Sequence, residues 1–325
     1  MNPCEATDPF ALTEASKYRP TEIPAMPHSL KVAAVFATMN RRATAEACVT
    51  ALARQTRPPD LVVVADNCSN DDTAGTLENL TAMPFPLRVV RMSENRGNAG
   101  GVQEAMDLAF AEGADAVWIL DDDSWPRPDG LRQLLAGRWD ETVVRHPLQI
   151  DPTTGKFTWP LQVRCDGEWK LIWQESELPT YDPIITRICW TGALVPREVR
   201  DKVGPVNGDL FIRGEDEEYP WRIEQAGFSQ MAMRASVMDH PGPENLVHLQ
   251  FLGKSFFFER GLADWKLYYK VRNMVWLKKL QSGGLRAIAM ALSYVSAAVF
   301  IDGVDRLPIL RRAIRDGWHG RLGKM

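Results

Sequence analysis

Residues 87–123, LRVVRMSENRGNAGGVQEAMDLAFAEGADAVWILDDD, decide the fold. LRVVRM (87–92) and AVWIL (116–120) are short apolar runs with β-branched residues, as expected of strands covered on both faces. Between them, Asn98 to Glu112 reads as a helix, opened by a polar, glycine-rich turn. The same unit precedes this stretch. KVAAVFAT (31–38) reads as a strand and Ala43 to Gln55 as a helix ended by Arg57-Pro58-Pro59. LVVVAD (61–66) is a second strand, and Asp71 to Thr81 a helix whose SNDDT start offers capping residues. Strand–helix alternation with short loops predicts an α/β fold, a Rossmann-like and mostly parallel sheet with helices on both faces.

Downstream the pattern is mixed. FTWPLQVR (157–164) and EWKLIWQ (168–174) flank Cys165-Asp166-Gly167, a hairpin signal. CWTGALVP (189–196) reads as a strand. FIRGEDEEYPWRIEQAG (211–227) reads as a short strand, an acidic turn and a helix stopped by Gly227, with Pro220 placed in the first turn. Helices are expected over 262–281, 284–301 and 308–318. This divides the chain into a polar lead-in (1–30), an α/β domain (31–245) and a helical, basic C-terminal region (246–325).

At 325 residues, 45% apolar and 25% charged, the composition excludes a disordered or collagen-like chain. Net charge is −4, which does not favour a nucleic-acid partner. The charge is segregated: residues 254–325 carry 14 Lys/Arg against 5 Asp/Glu. Cys4, Cys48, Cys68, Cys165 and Cys189 form no CxxC pair and are odd in number. That argues against a zinc ribbon or disulfide framework and favours a reducing compartment. The N-terminus carries no basic start followed by an apolar run, so no secretory signal is read there. The uncharged stretch Ala287 to Ile301 is shorter than the roughly 20 residues of a spanning helix.

In an open parallel sheet, ligands bind beyond the carboxyl ends of the strands. Four polar clusters should converge there: Thr38-Met39-Asn40-Arg41, Asp66-Asn67, Asn95-Arg96-Gly97 and Asp121-Asp122-Asp123. Asp121 and Asp123, two apart on extended chain, point to one side and suit a hard divalent cation, leaving Asp122 to point elsewhere. The rival reading is a solvated acidic turn before Pro126. Three adjacent carboxylates near a buried strand end should have raised pKa values and need a positive neighbour. NRGNAGG (95–101) opens a helix and favours an anion, yet it is neither GxGxxG nor a P-loop. That excludes a dinucleotide dehydrogenase and a P-loop NTPase.

TMNR (38–41), VVADNCSNDDT (63–73), NRGNAGG and WILDDDSWP (118–126), in this order, resemble the inverting glycosyltransferases of family 2, which have a GT-A fold. GEDEEYPWRI (214–223) resembles that family's acidic motif, which supplies the catalytic base. NRGNAGG, DDD, LFIRGEDEE, the later DHP (239–241) and YKVRN (269–273) resemble more narrowly the bacterial galactofuranosyltransferases of cell-wall galactan. The resemblance implies transfer of galactofuranose from UDP-galactofuranose to a polyprenyl-diphosphate-linked acceptor. It implies Thr38, Asn40 and Arg41 lining the nucleotide pocket, Asp66 at the uracil or ribose, and Asn95 with Gly97 near the nucleotide or donor sugar. Asp121, Asp123 and His240 would hold Mn2+ or Mg2+, imidazole favouring manganese. Asp216 would be the base, with Asp122 and Glu215 as substrate-binding neighbours. Trp190 would stack on a sugar ring, its rival role being a core tryptophan.

Rhamnosyltransferases using dTDP-rhamnose share much of this pattern. A non-catalytic nucleotide-sugar-binding protein is opposed by the intact acidic motifs. A uridylyltransferase would need a Gly- and Lys-rich loop that is missing from the N-terminal part. The basic tail, with Trp265, Tyr268, Tyr269 and Trp276, suits helices lying on an anionic membrane. A solvated helical cap is the alternative. With a lipid-linked acceptor, the expectation is peripheral association at the cytoplasmic face.

Overall fold

The computed structural model describes residues 30–187, 190–243, 245–251 and 254–325. The lead-in 1–29, Cys4 and Cys189 lie outside the described residues. In chain order the first half runs β1 (Val32–Thr38), α1 (Arg42–Ala53), β2 (Leu61–Asp66), α2 (Thr73–Glu78), β3 (Leu87–Arg91), α3 (Gly97–Ala111), β4 (Ala116–Ile119), β5 (Trp125–Pro126), α4 (Gly130–Leu134) and β6 (Val143–Ile150). Then come β7 (Leu161–Cys165), β8 (Glu168–Ile172), β9 (Ile184–Arg187), β10 (Leu194–Pro196), α5 (Arg197–Val203), α6 (Glu215–Gln225) and β11 (Ser229–Asp239). The chain closes with β12 (Leu246–Phe251), β13 (Lys254–Glu259), α7 (Asp264–Ser282), α8 (Gly284–Ile301) and α9 (Leu307–Trp318).

One eleven-stranded sheet has the order β3-β2-β1-β4-β10-β6-β11-β9-β7-β8, with β5 beside β11. β3, β2, β1 and β4 are parallel, as the alternation requires. Beyond β4 the expected parallel character ends. β10 enters antiparallel to both β4 and β6, and β9 runs antiparallel to β11. The sheet is therefore mixed. Its first strands are buried along their whole length because alternate residues feed two cores. Ala33, Val35 and Ala37 pack with Val102, Ala105 and Met106 of α3 on one face. Val32, Ala34 and Phe36 pack with Val49 and Leu52 of α1 and Leu131 of α4 on the other. Full burial of such side chains contributes about 1.5–3 kcal/mol each, which fixes strand register.

The turn between β7 and β8 has Asp166 at φ 53° and Gly167 at φ 79°, the left-handed pair that a two-residue hairpin needs. Three expectations fail locally. The segment 211–213 is not a strand; Phe211 and Arg213 have φ 66° and 67°, and the chain turns there. Pro220 lies six residues into α6, beyond the first turn, so the Asp216 carbonyl loses its i+4 donor. Within 189–196, only Leu194–Pro196 is a strand, and Trp190–Ala193 forms a turn closed by Ala193 N–H donating to Trp190 O. Residues 246–259, read as the start of the helical region, include the β12–β13 hairpin. The three C-terminal helices follow as expected. They enclose their own core of Leu267, Tyr268, Val271, Val275, Tyr294 and Leu310, which also takes in Phe211 and Phe258.

Candidate active site

The carboxyl ends of β1 and β4, the start of α3, the start of α6 and the end of β11 surround one cleft of about 940 Å³. Of the expected site residues, Asn40 and Asp66 do not line it; the others do. Asn40 is exposed, and its side-chain oxygen accepts from Asn70 N–H (2.8 Å), tying two loops together. Asp66 is buried at the end of β2, and its Oδ1 has no hydrogen-bond partner among the described residues.

The triple aspartate divides as expected, but not on extended chain: residues 121–124 form a turn closed by Ser124 N–H donating to Asp121 O (3.1 Å). Asp121 Oδ2 and Asp123 Oδ1 face His240 Nε2 at 3.7 and 3.5 Å. Asp122 turns away, accepting from Thr38 Oγ1 (2.8 Å) and pairing with Arg41 (2.9 Å). Arg41 also holds Asp123 at 2.8 Å, so it and His240 are the positive neighbours that the crowding demands. Thr191 Oγ1 donates to Asp121 Oδ2 (2.6 Å) and fixes that carboxylate. One ligand atom from each of Asp121, Asp123 and His240 falls within 4.8 Å of the others. Two carboxylate oxygens and an imidazole nitrogen so gathered fit a divalent cation, and the nitrogen suits manganese.

The pKa values are not uniformly raised. Burial lifts Asp122 to about 7 against Arg41 and Thr38. Burial also acts upward on Asp123, yet hydrogen bonds from His240 and Arg41 hold it well below the usual carboxylate range. For His240, burial pulls downward, but Asp121 and Asp123 outweigh it and raise the imidazole to about 9.

Across the cleft, α3 and α6 meet. Gly97, at φ 71°, lies where a Cβ would fall 2.0 Å from Phe211 O. A Cβ on Gly101 would meet Ala37 Cβ at 2.6 Å. These two absent side chains let the start of α3 sit between the strand ends and the 211–214 turn. Asn67, named in the sequence only as a polar strand end, knits the loop: its Nδ2 donates to Gly97 O (3.0 Å) and its Oδ1 accepts from Arg96 N–H (3.2 Å). Asn95 Oδ1 accepts from Gly97 N–H (2.8 Å).

The acidic start of α6 presents four carboxyls with different surroundings. Glu215 is buried; its Oε1 accepts from Asn98 Nδ2 (3.1 Å). Burial and the Asp216 charge raise it to about 8. Burial and Asp216 likewise raise Glu217 to about 7, against Lys278 and Lys270. Glu218 is paired with Arg222 (2.7 Å) and faces away from the work of the cleft. Asp216 is exposed to the cleft, with Oδ1 accepting from Gly214 N–H (2.8 Å), which leaves Oδ2 free. A protonated carboxyl cannot accept a proton, which makes Glu215 ill suited to the work of a base, and Asp216 is the exposed carboxyl of this group in the cleft lining. Trp190 is buried, edge-on to Tyr219 with ring centroids 6.0 Å apart.

The turn that delivers Asp216 is clamped from the C-terminal helices. Asn273 Nδ2, fully buried, donates to the carbonyls of Leu210 (2.9 Å), Ile212 (3.1 Å) and Arg213. Arg272 Nη2 adds a bond to Leu210 O (2.9 Å) and Nε one to Asn273 Oδ1 (2.8 Å). This is what the YKVRN segment does. Glu259 further ties Arg213 (2.5 Å) to Lys270 (2.6 Å) at the cleft wall. The links from Glu259, Arg272 and Asn273 to residues 210–213, 46 to 63 residues apart, have no local sequence signal.

The Glycosyl transferase family 2 model matches residues 34–204, more than half of the chain. Galactofuranosyltransferase GlfT1 of Mycolicibacterium smegmatis is 28% identical over 275 residues, covering 81% of this chain and 87% of that protein. Its Mycobacterium tuberculosis namesake is 28% identical over 203 residues, covering 60% and 65%. Among solved structures, the mannosyltransferase PcManGT of Pyrobaculum calidifontis, in complex with GDP-Man and Mn2+, superposes with a TM-score of 0.54 at 18% identity, covering 92% and 77%. S. aureus TarS 1-349 in complex with UDP-GlcNAc gives 0.54 at 13% identity, covering 89% and 80%. With the sheet order and the cleft already described, these matches mean that the chain belongs to glycosyl transferase family 2, has the GT-A fold and is a glycosyltransferase close to the GlfT1 proteins.

Proposed function

We propose that this enzyme transfers galactofuranose from UDP-galactofuranose to a polyprenyl-diphosphate-linked saccharide, with inversion, at the cytoplasmic face of a membrane. The observation that carries the reaction class is the meeting of two acidic groups across one cleft. Asp121, Asp123 and His240 line the same cleft as Asp216 and Glu215. The similarity to the GlfT1 galactofuranosyltransferases supports the sugar, and the lipid-linked acceptor is what the motif resemblance implies.

Asp121, Asp123 and His240 would hold the divalent ion, manganese before magnesium. When bound, such an ion supplies Lewis-acid stabilisation of a departing nucleotide diphosphate. Arg41 orients Asp123 while pairing with Asp122, and Thr191 orients Asp121. Thr38, Asn95 and Gly97 line the nucleotide side, whereas Asp66, buried at the end of the neighbouring strand, does not line the cleft. Asp216 takes the proton of the acceptor hydroxyl through its free Oδ2 as that oxygen attacks the anomeric carbon. Glu215, raised by burial and by Asp216, supports the turn through Asn98 rather than taking the proton itself. Inversion follows because base and departing diphosphate occupy opposite sides of the ring.

The test is direct. The purified chain, with Mn2+ and a synthetic lipid-linked disaccharide, is offered UDP-galactofuranose and dTDP-rhamnose in parallel, and the product anomer is read by NMR. Transfer of galactofuranose with inverted configuration is expected; rhamnose transfer alone would reassign the donor. Asp216→Asn keeps the Gly214 hydrogen bond but loses the base. Turnover should fall by about 10²–10⁴ with UDP affinity unchanged.

A further inference from the structure

α8 carries its large apolar residues on the wrong side for a soluble protein. The face turned inward is built from Ala287, Ala291, Ala297 and Ala298 around Tyr294. The face turned outward presents Leu285 (86% exposed), Ile288, Leu292 (61%) and Phe300 (88%). Val304 and Leu307 continue the stripe towards α9. Isolated exposed apolar residues are ordinary, whereas a row of them along one helix face, interrupted by Ser296, marks a surface that water does not normally cover.

Two further observations select the occupant. The groove between α8 and α9 has an apolar floor from Val295, Leu307, Ile314 and Trp318, and its rim carries Arg311 and Arg315. Arg286 lies on the outward side of α8 itself. Apolar residues framed by arginines match acyl chains beneath anionic headgroups. The inward side of the same helix also places Met290 and Tyr294 in the wall of the catalytic cleft, where Tyr294 packs against Phe256 at 5.0 Å. By length and composition α8 passes as a membrane span, at 18 residues and mean hydropathy 1.7. A helix crossing the bilayer would have to withdraw Met290 and Tyr294 from the cleft and break its packing on α7 and α9.

We propose that α8 lies in the plane of an anionic leaflet, with Leu285, Ile288, Leu292 and Phe300 inserted and the arginines of α8 and α9 at the headgroups. The cleft then opens beside the bilayer, separated from it by the thickness of one helix. A lipid-linked acceptor reaches Asp216 without its chain leaving the membrane. This last point rests on the acceptor reading given above; the insertion itself does not.

The test uses the full chain and flotation with vesicles of phosphatidylcholine, alone or with 30% phosphatidylglycerol (about 30%, chosen to give a strongly anionic surface). The wild type should float with the anionic vesicles and lose binding as salt rises. Leu292→Asp with Phe300→Asp should weaken binding about tenfold or more, with an unchanged melting temperature and unchanged turnover of a short-chain, water-soluble acceptor. Arg311→Gln with Arg315→Gln should weaken binding to anionic vesicles alone, and serves as the test if the aspartate variant fails to fold. Absence of wild-type flotation, or unaltered binding by both double variants, would overturn the proposal. So would a wild-type dimer by light scattering that the aspartate variant splits, since the stripe would then be a seam between two copies. If the wild type floats yet never uses the soluble acceptor, the acceptor reading fails and the insertion stands.

Discussion

Asn273→Ala tests whether the C-terminal helices govern the chemistry. The Asn273 amide is fully buried and has two N–H hydrogens to share among the carbonyls of residues 210, 212 and 213. Truncation leaves at least two buried acceptors unsatisfied, at about 1–3 kcal/mol each, so a loss of roughly 2–4 kcal/mol of stability is expected. The functional cost has a second origin. Phe211 and Arg213 sit in left-handed backbone, which costs of order 1–3 kcal/mol per residue and persists only where neighbours hold it. Released, the 211–214 turn relaxes and Asp216 moves off the acceptor. A displacement of about 1 Å costs roughly a hundredfold in rate. Steady-state kinetics should show kcat falling by about that factor while donor KM and UDP affinity by calorimetry stay within about twofold, because the residues proposed to hold the nucleotide follow β1 and β4 and open α3, outside the 211–214 turn. Gly214→Ala, whose Cβ would approach Asn273 Cβ to 2.9 Å, should reproduce the split. If Asn273→Ala loses stability but keeps wild-type kcat at a temperature where it is folded, the clamp is structural only and the reasoning is refuted.

His240→Gln removes the nitrogen facing Asp121 and Asp123. The Mn2+ concentration for half-maximal activity should rise by 10- to 100-fold (an order-of-magnitude figure for a lost donor), and excess chelator should abolish wild-type turnover; full activity in chelator would end the cation assignment. His146, fully buried on β6, is driven by burial to about 3, against a hydrogen bond with Gln230. Above pH 6.5 both states are neutral; as pH falls below it the unfolded chain takes a proton that the native state refuses. Stability should therefore drop towards pH 4 with a slope approaching about 1.4 kcal/mol per unit, and denaturant melts of His146→Leu should lack that share of the slope. Gly97→Ala forces a Cβ against Phe211 O at left-handed φ, so both melting temperature and turnover should fall; an unaffected enzyme would show that the α3–α6 junction is soft.

The first half of the molecule could be read from its residues because burial on two faces writes itself as continuous apolar runs. Val32–Thr38 and Leu61–Asp66 admit few other readings. The aspartates were legible for a related reason, since three carboxylates after such a run need an explanation. β6 was hidden because VVRHPLQI carries Arg145, His146 and Pro147 inside a buried strand. Arg145 is satisfied there by the Leu134 and Ala136 carbonyls, a solution visible only in three dimensions. Apolar Phe211 and Ile212 imitated a strand, whereas long-range hydrogen bonds from Asn273 impose a turn. Pro220 suggested a later helix start than α6 adopts, because acidic residues at 215–218 favour an earlier one. Asn67, Asn98 and Thr191 were given no role of their own, since an amide or a hydroxyl becomes a site residue only through the partner brought to it.

The family match ends at residue 204, before the residue proposed as the base appears in the chain. Asp216 stands on a turn whose shape is dictated from residue 273, on the far side of any boundary drawn near 245. A chain shortened to its nucleotide-binding half would keep its strands and its aspartates and still lack a working proton acceptor. A change in the C-terminal helices thus has a mechanical route to Asp216 only a few bonds long.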